Sequence, residues 1–209
     1  MKKQCIVLLL LLFSSSILVA QVEKGKWLLA VYSNLGLDIG KEKWGSSGNG
    51  LVSEYKYTEF NFTPEAAYFV INKLSVGLSM DYQYYKDVSV DDNDTWKNTS
   101  FTVGPFVRYY ILEHKKIWPY ASAGLGFGSG KSGWDGSNEQ KNTISTYRFG
   151  GGATYFLNDN VGLDLFVGYD YYAFKYKSED ARKSMNSTDS QDINSGLKMK
   201  IGVVVTVGK

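Results

Sequence analysis

The chain has 209 residues, a formal net charge of +2 and one cysteine, Cys5. A single cysteine excludes a disulfide framework or a cysteine zinc site. The near-neutral charge argues against nucleic acid as partner, since that would favour a basic face.

The first segment reads as a signal peptide. Met1-Lys2-Lys3 is a basic start, Ile6 to Phe13 is a short apolar run, and Ile17-Leu18-Val19-Ala20 ends on a small residue. Serines interrupt the run, and it is short of the ~20 apolar residues that a helical span needs. Cleavage is expected after Ala20, which divides the chain into a signal peptide (1–20) and one domain (21–209). Cys5 leaves with the leader. So do Lys2 and Lys3, and since residues 1–20 hold no acid the mature charge falls to about zero.

The rest of the chain is rich in tyrosine, phenylalanine and glycine and has three prolines. Its first predicted strand runs from Lys26 to Ile39, with blurred alternation and unassigned faces. Gly40–Ser53 is a Gly/Ser/Lys-rich loop containing Trp44. A second strand, Glu54–Val70, sets Thr58, Phe60, Phe62, Ala66, Tyr68 and Val70 against Glu59, Asn61 and Glu65. Pro64 lies within it and predicts a local bulge, because proline removes a ladder hydrogen bond. After the tight turn 71–73, Leu74, Val76, Leu78, Met80, Tyr82 and Tyr84 alternate with Ser75, Gly77, Ser79, Asp81 and Gln83, the period of a strand. An acidic loop, Asp87–Trp96, follows.

The fourth strand, Asn98–Leu112, sets Phe101, Val103, Pro105, Val107 and Tyr109 against Thr102, Gly104, Phe106, Arg108 and Tyr110. A short turn at 113–116 leads to a fifth strand from Trp118, with Ala121, Ala123, Leu125 and Phe127 opposite Ser122, Gly124, Gly126 and Gly128. Lys131–Lys141 is a polar loop with Trp134. The sixth strand, Asn142–Leu157, places Tyr147, Phe149, Ala153 and Tyr155 opposite Arg148. Asn158–Asn160 turns into a seventh, in which Val161 to Tyr171 separate an apolar face from one bearing Asp164 and Asp170. A long polar loop, 177–194, precedes the eighth strand. There Leu197, Met199, Ile201, Val203 and Val205 alternate with Lys198, Lys200 and Thr206.

The stretch Tyr68–Tyr85 (YFVINKLSVGLSMDYQYY) repeats as Tyr155–Tyr172 (YFLNDNVGLDLFVGYDYY): strand end, polar turn, strand start. Repeated hairpins of this kind build closed all-β sheets. Eight strands with alternating short and long connections predict an all-β, eight-stranded, antiparallel, up-and-down transmembrane β-barrel, with the short turns in the periplasm and four long loops outside. Aromatics beside the short turns (Tyr68, Phe69, Tyr109, Trp118, Tyr155, Phe156) and toward the long loops (Tyr82, Tyr84, Tyr169, Tyr171) predict two interfacial girdles. A soluble, lipocalin-like barrel would need the same alternation turned inside out.

The hairpins PEAAYFVINKLSVGLSMDY and GGGATYFLNDNVGLDLFVGYDY, with GPFVRYY and PYASAGLGFG, resemble the small outer-membrane β-barrel proteins of Gram-negative bacteria. That family includes OmpX, the transmembrane domain of OmpA and the porin-family "outer membrane protein β-barrel domain" chains. The resemblance covers the mature chain and implies an outer-membrane location. One departure stands out: such barrels usually end in an aromatic residue, and here residues 205–209 read Val-Thr-Val-Gly-Lys.

The predicted interior collects Glu59, Glu65, Asp81, Asp164 and Asp170 with Arg108, Arg148, Lys198 and Lys200. Charges in a narrow barrel must be paired, and eight strands leave room for side chains rather than a wide channel. The expected function is therefore structural or surface-interacting, with a plugged, salt-bridged lumen; the alternative is a small porin. No enzyme is expected, because the sole histidine, His114, falls in a periplasmic turn, far from the outer rim where a base would be needed. Asp91–Asp94 lack the spacing of a calcium loop. Gly45–Gly50 follows no strand and opens no helix, so it is no phosphate loop. Trp44, Trp96 and Trp134, in three long loops, are candidates for surface contact or for packing on the rim. Neither metal nor other cofactor is expected. The expected partners are outer-membrane lipid and lipopolysaccharide, with a host or cell-surface ligand met through the loops, and the expected state is a monomer.

Overall fold

The computed structural model describes residues 22–33, 38–45, 52–89, 94–112, 116–135, 140–177 and 191–208. The expected leader, His114 and Asp91–Asn93 lie outside them. The strands are β1 (Trp27–Ser33), β2 (Asp38–Gly45), β3 (Val52–Ile71), β4 (Leu74–Ser89), β5 (Thr95–Tyr110), β6 (Ile117–Trp134), β7 (Gln140–Phe156), β8 (Val161–Lys177) and β9 (Gln191–Val207). They pair antiparallel in the order β1-β9-β8-β7-β6-β5-β4-β3-β2, and β1 also pairs with β3, which closes the sheet. β1 and β2 follow one another along the same edge of β3 and form one wall strand, so the wall has eight. Between their two ladders (Tyr32↔Thr63 and Asp38↔Glu59) the first strand advances six residues against four on β3. Above Ser33 the closure is one-sided: β2 pairs with β3 alone, and β9 from Gln191 to Lys200 pairs with β8 alone.

Alternation decides the orientation. On β4, Val76, Leu78 and Met80 are exposed while Ser75, Ser79 and Asp81 are buried. The same holds around the wall, with Phe127 and Phe149 outward and Arg108, Asp164 and Lys200 inside. The apolar face is the outer one, as a barrel in lipid requires and a lipocalin-like barrel forbids. On β4 the outward apolar run from Leu74 to Tyr84 spans ten residue steps. At ~3.3 Å each and a tilt of ~40° this is a band of about 25 Å. The first strand, whose faces the sequence left unassigned, turns Trp27, Leu29 and Val31 out and Leu28, Ala30 and Tyr32 in.

Several expectations are corrected. The strands extend further outward than the hydrophobic pattern marks. β2 continues to Gly45, β4 to Ser89 and β6 to Trp134, while β5 starts at Thr95 and β9 at Gln191. At 16 to 20 residues, β3 to β6 exceed the ~9–11 that cross a bilayer. Their upper ends therefore stand as hairpins beyond the apolar band. Above the membrane both faces meet water, so the apolar alternation fades while the ladder continues. Trp44, Trp96 and Trp134, placed in loops by the sequence, accordingly lie on β2, β5 and at the end of β6.

Pro64 makes no bulge. The β3–β4 register is the same on both sides of it (Phe62↔Tyr82, Glu65↔Ser79), while Pro64 keeps its pairing with Val31. Proline drops out of the ladder on one side only, and Pro105 does the same against β6. The register shift on this hairpin lies instead between Phe69 and Ile71, at the turn.

Candidate functional site in the lumen

Inward positions from eight of the nine strand segments, all but β2, converge on two charge clusters. In the one nearer the short turns, Arg108 (β5) is almost wholly buried. Its Nη2 donates to Glu65 Oε2 at 2.8 Å and to the Tyr32 hydroxyl at 2.6 Å, and its Nη1 lies 4.0 Å from Asp164 Oδ2. The guanidinium stacks over the Tyr120 ring, 4.3 Å from its centroid, the face where a cation meets the negative side of a quadrupole. Asp164 (β8) accepts hydrogen bonds from Tyr32 at 2.8 Å, from Tyr120 at 2.5 Å and from Thr154, whose hydroxyl lies 3.3 Å from that of Tyr110. Three neutral hydroxyls thus hold one carboxylate.

In the upper cluster Arg148 (β7) bridges two acids: Nε donates to Asp170 Oδ1 at 3.0 Å and Nη2 to Asp81 Oδ2 at 2.9 Å. Lys200 (β9) reaches Asp81 Oδ1 at 3.2 Å, and the Thr63 hydroxyl donates to the same oxygen at 2.6 Å. Tyr172 donates to Asp170 at 3.4 Å and accepts from Gln83 at 3.2 Å. The structure thus brings together Glu65, Asp81, Asp164, Asp170, Arg108, Arg148 and Lys200. It leaves out two predicted members. Glu59 is half-buried and accepts from Asn61 at 2.7 Å, and Lys198 is exposed.

Below the clusters an aromatic plug fills the barrel. Tyr110 contacts Phe69, Trp118 and Tyr120; Trp118 meets Phe156 edge-on; Tyr120 stacks on Phe166. Glycine makes room for these rings: a Cβ on Gly152 would lie 2.5 Å from the Tyr120 hydroxyl oxygen. Phe69, Trp118 and Phe156 are therefore plug residues and not members of the lower lipid-facing girdle. Neighbours on a strand face opposite sides, so in Tyr68-Phe69 and Tyr155-Phe156 only the tyrosine meets lipid. The segment before β1 closes the mouth. Lys73 N–H donates to the Val22 carbonyl at 2.8 Å, Lys24 N–H donates to Asn72 Oδ1 at 2.9 Å, and the Val22 side chain is buried.

Sequence reasoning missed the hydroxyl partners, Tyr32, Tyr120, Thr154 and Thr63, and the plug. Their inward parity was the available signal. What made them partners was cross-barrel proximity between residues as far apart as Tyr32 and Asp164.

Two small voids lie among the described interior residues. One of about 20 Å³ lies among Glu65, Asp81, Thr102 and Arg148, and one of about 10 Å³ among Tyr32, Glu65, Arg108 and Lys200. Each holds roughly one water. Among the described residues Arg108 Nε and Nη1, Thr102 Oγ1 and Ser79 Oγ have no hydrogen-bond partner. Among the described residues no cluster of His, Cys, Asp and Glu could hold a metal ion.

The sequence matches the family model "Outer membrane protein beta-barrel domain" over residues 5–200. No curated protein matches it. Among solved structures, Neisserial surface protein A is similar at 20% identity and a TM-score of 0.50, covering 87% of this chain and 97% of that one. Ail, the attachment invasion locus protein of Yersinia pestis, solved in complex with the heparin analogue sucrose octasulfate, is similar at 14% identity and a TM-score of 0.50, covering 88% and 99%. Likeness at that identity speaks to fold alone. With a closed antiparallel barrel, an apolar outer wall and a family match over almost its whole length, the chain belongs to the outer membrane protein β-barrel domain family and is an outer-membrane protein.

Proposed function

We propose that this barrel is a closed one that serves a structural or surface-interaction role through its extracellular hairpins, and is neither a channel nor an enzyme. The observation that carries this reading is the two paired clusters stacked on an aromatic plug, with water-sized voids beside them among the described residues. Ions would have to break charge-assisted pairs and then pass a ring-filled layer. The carboxylates of the two clusters, Glu65, Asp81, Asp164 and Asp170, are committed to cations or hydroxyls, so among the described residues none of these four is a free base beside a nucleophile.

The test is conductance of the refolded, leader-free protein in planar bilayers. A gel-mobility shift between unboiled and boiled samples shows that the barrel has formed. A folded barrel without steady current is the expected result. Stable conductance steps that change when Arg108 or Arg148 is neutralised would make it a small porin instead.

A further inference from the structure

The interior changes character above the upper charge cluster. A hydrogen bond across the lumen, from Gln83 Nε2 on β4 to the Tyr172 hydroxyl on β8 at 3.2 Å, marks the top of the packed part. Lower down the lumen is full: a Cβ added to the inward Gly124, Gly126, Gly168 or Gly202 would meet another atom at 3.1 Å or less. Gly196 on β9 stands diagonal to Tyr172, and a Cβ there would meet nothing within 4 Å. The mouth is therefore a cup whose floor is the paired clusters.

One side of the cup is the inner face of β3 to β7 above the membrane. Residues two apart share a face, so Tyr57, Tyr85 and Trp96 point inward there with Asn61, Gln83 and Ser100. Tyr57 and Tyr85 stack at 6.4 Å with their planes 9° apart, and Trp96 meets Tyr85 edge-on at 5.7 Å. All three rings are half-buried. Amides stand beside and beneath them. Asn98 is directly opposite Tyr85, and Asn61 donates to Glu59 at 2.7 Å. Asn142 on β7 is only 5% exposed, and its Oδ1 has no hydrogen-bond partner among the described residues. That oxygen projects over Gly130 of β6, where a Cβ would lie 2.6 Å from it. None of these inward positions is basic. The upper lysines of the same strands, Lys56, Lys86, Lys97, Lys131 and Lys141, stand on the outward face.

We propose that this cup binds a neutral saccharide. A pyranose ring has an apolar C–H face and a rim of hydroxyls that both donate and accept. The C–H face stacks on an aromatic ring, a large apolar surface held at low cost in side-chain freedom. The hydroxyls match amides, which likewise carry donors and an acceptor on one side chain. Tyr57, Tyr85 and Trp96 supply the first element, and Asn98 and Asn142 the second. Glu59 accepts from a further hydroxyl. A sulfated or phosphorylated ligand would need cations, and the cations of these strands point away. A wholly apolar ligand would leave buried amides without partners, which costs free energy. The inference rests on the surface-interaction reading of the barrel and names a ligand class for it.

The experiment uses the refolded, leader-free protein in phosphatidylcholine nanodiscs, with both mouths accessible. It is titrated calorimetrically with cellotetraose, maltotetraose, mannotetraose and the tetramer of N-acetylglucosamine. At least one should bind saturably. Tyr85→Ala and Trp96→Ala should each weaken that binding by about tenfold, and Tyr85→Phe, which keeps the ring, should lose less than Tyr85→Ala. Lys86→Gln, on the outward face beside Tyr85, should leave it unchanged. The gel-mobility shift reports that each variant has folded. Should the ring variants not refold, Asn98→Leu removes one amide at similar volume and should weaken binding by about the same factor. Equal affinity in the parent and in these cup variants overturns the proposal. A barrel that carries no current and binds none of the four sugars also overturns it, while the closed-lumen reading stands. A conducting barrel whose sugar affinity still falls in Trp96→Ala keeps the cup and loses the closed lumen.

Discussion

Asp164 shows how a buried charge is kept in this barrel: three hydroxyls and the edge of one guanidinium surround it. Removing a whole charged partner should differ from removing one hydroxyl. Arg108→Leu leaves Glu65 and Asp164 buried against no cation in their own cluster, a loss on the order of 3–5 kcal/mol. Tyr120→Phe deletes one hydrogen bond to a carboxylate, about 1.5–3 kcal/mol. Urea unfolding in lipid vesicles, followed by tryptophan fluorescence, would rank the two, and the reverse order would show that the cluster is not organised around Arg108. The charged members of both clusters were legible in the sequence, because an Asp or Arg on the polar face of a two-residue period has to point inward. Tyr120 and Thr154 were not, since a hydroxyl on an inward face is equally at home unpaired, and only the closed barrel brings them to Asp164. Lys198 shares its face with Lys200 yet stands exposed: face alone does not tell how high in the barrel a residue lies.

At the level of strands, β4 and β8 were readable because one face meets lipid and the other a polar interior. Strand β1 was not. Its inward Leu28, Ala30 and Tyr32 meet the plug and its outward Trp27, Leu29 and Val31 meet lipid, so both faces are apolar and the alternation vanishes. The upper strand ends were missed because their alternation is broken: aromatics such as Tyr85 and Trp96 stand among charged and polar residues with no apolar face running through them. β9 combines two environments in one strand. From Ile201 to Val205 it is bonded to both β1 and β8, at Thr206 and Val207 to β1, and from Gln191 to Lys200 to β8 alone. Amides of the lower half should therefore exchange with deuterium slowest, with a step in protection near Ile201 in detergent-solubilised protein. Uniform protection along β9 would mean that the upper half acquires a second neighbour in solution.

For the whole molecule the decisive quantity is which way the apolar side chains point, because a lipid barrel and a soluble barrel share the same alternation and differ only in its sense. Leu78 is outward and more than half exposed, near the middle of the Leu74–Tyr84 band. Thr58 is outward on the neighbouring β3, above the aromatic rim. In a bilayer an arginine at the midplane of a barrel wall costs about 2–4 kcal/mol and one near the interface about 0–1. Leu78→Arg should thus destabilise the refolded barrel by that larger amount and Thr58→Arg hardly at all, measured as shifts in the urea midpoint in phosphatidylcholine vesicles. A soluble barrel would reverse the expectation, since exchanging an exposed leucine for arginine at a watery surface costs little and improves solubility. The contrast between the two sites also removes the general effect of adding an arginine, because both variants add one. A depth-dependent cost would tie the 25 Å band to the membrane itself.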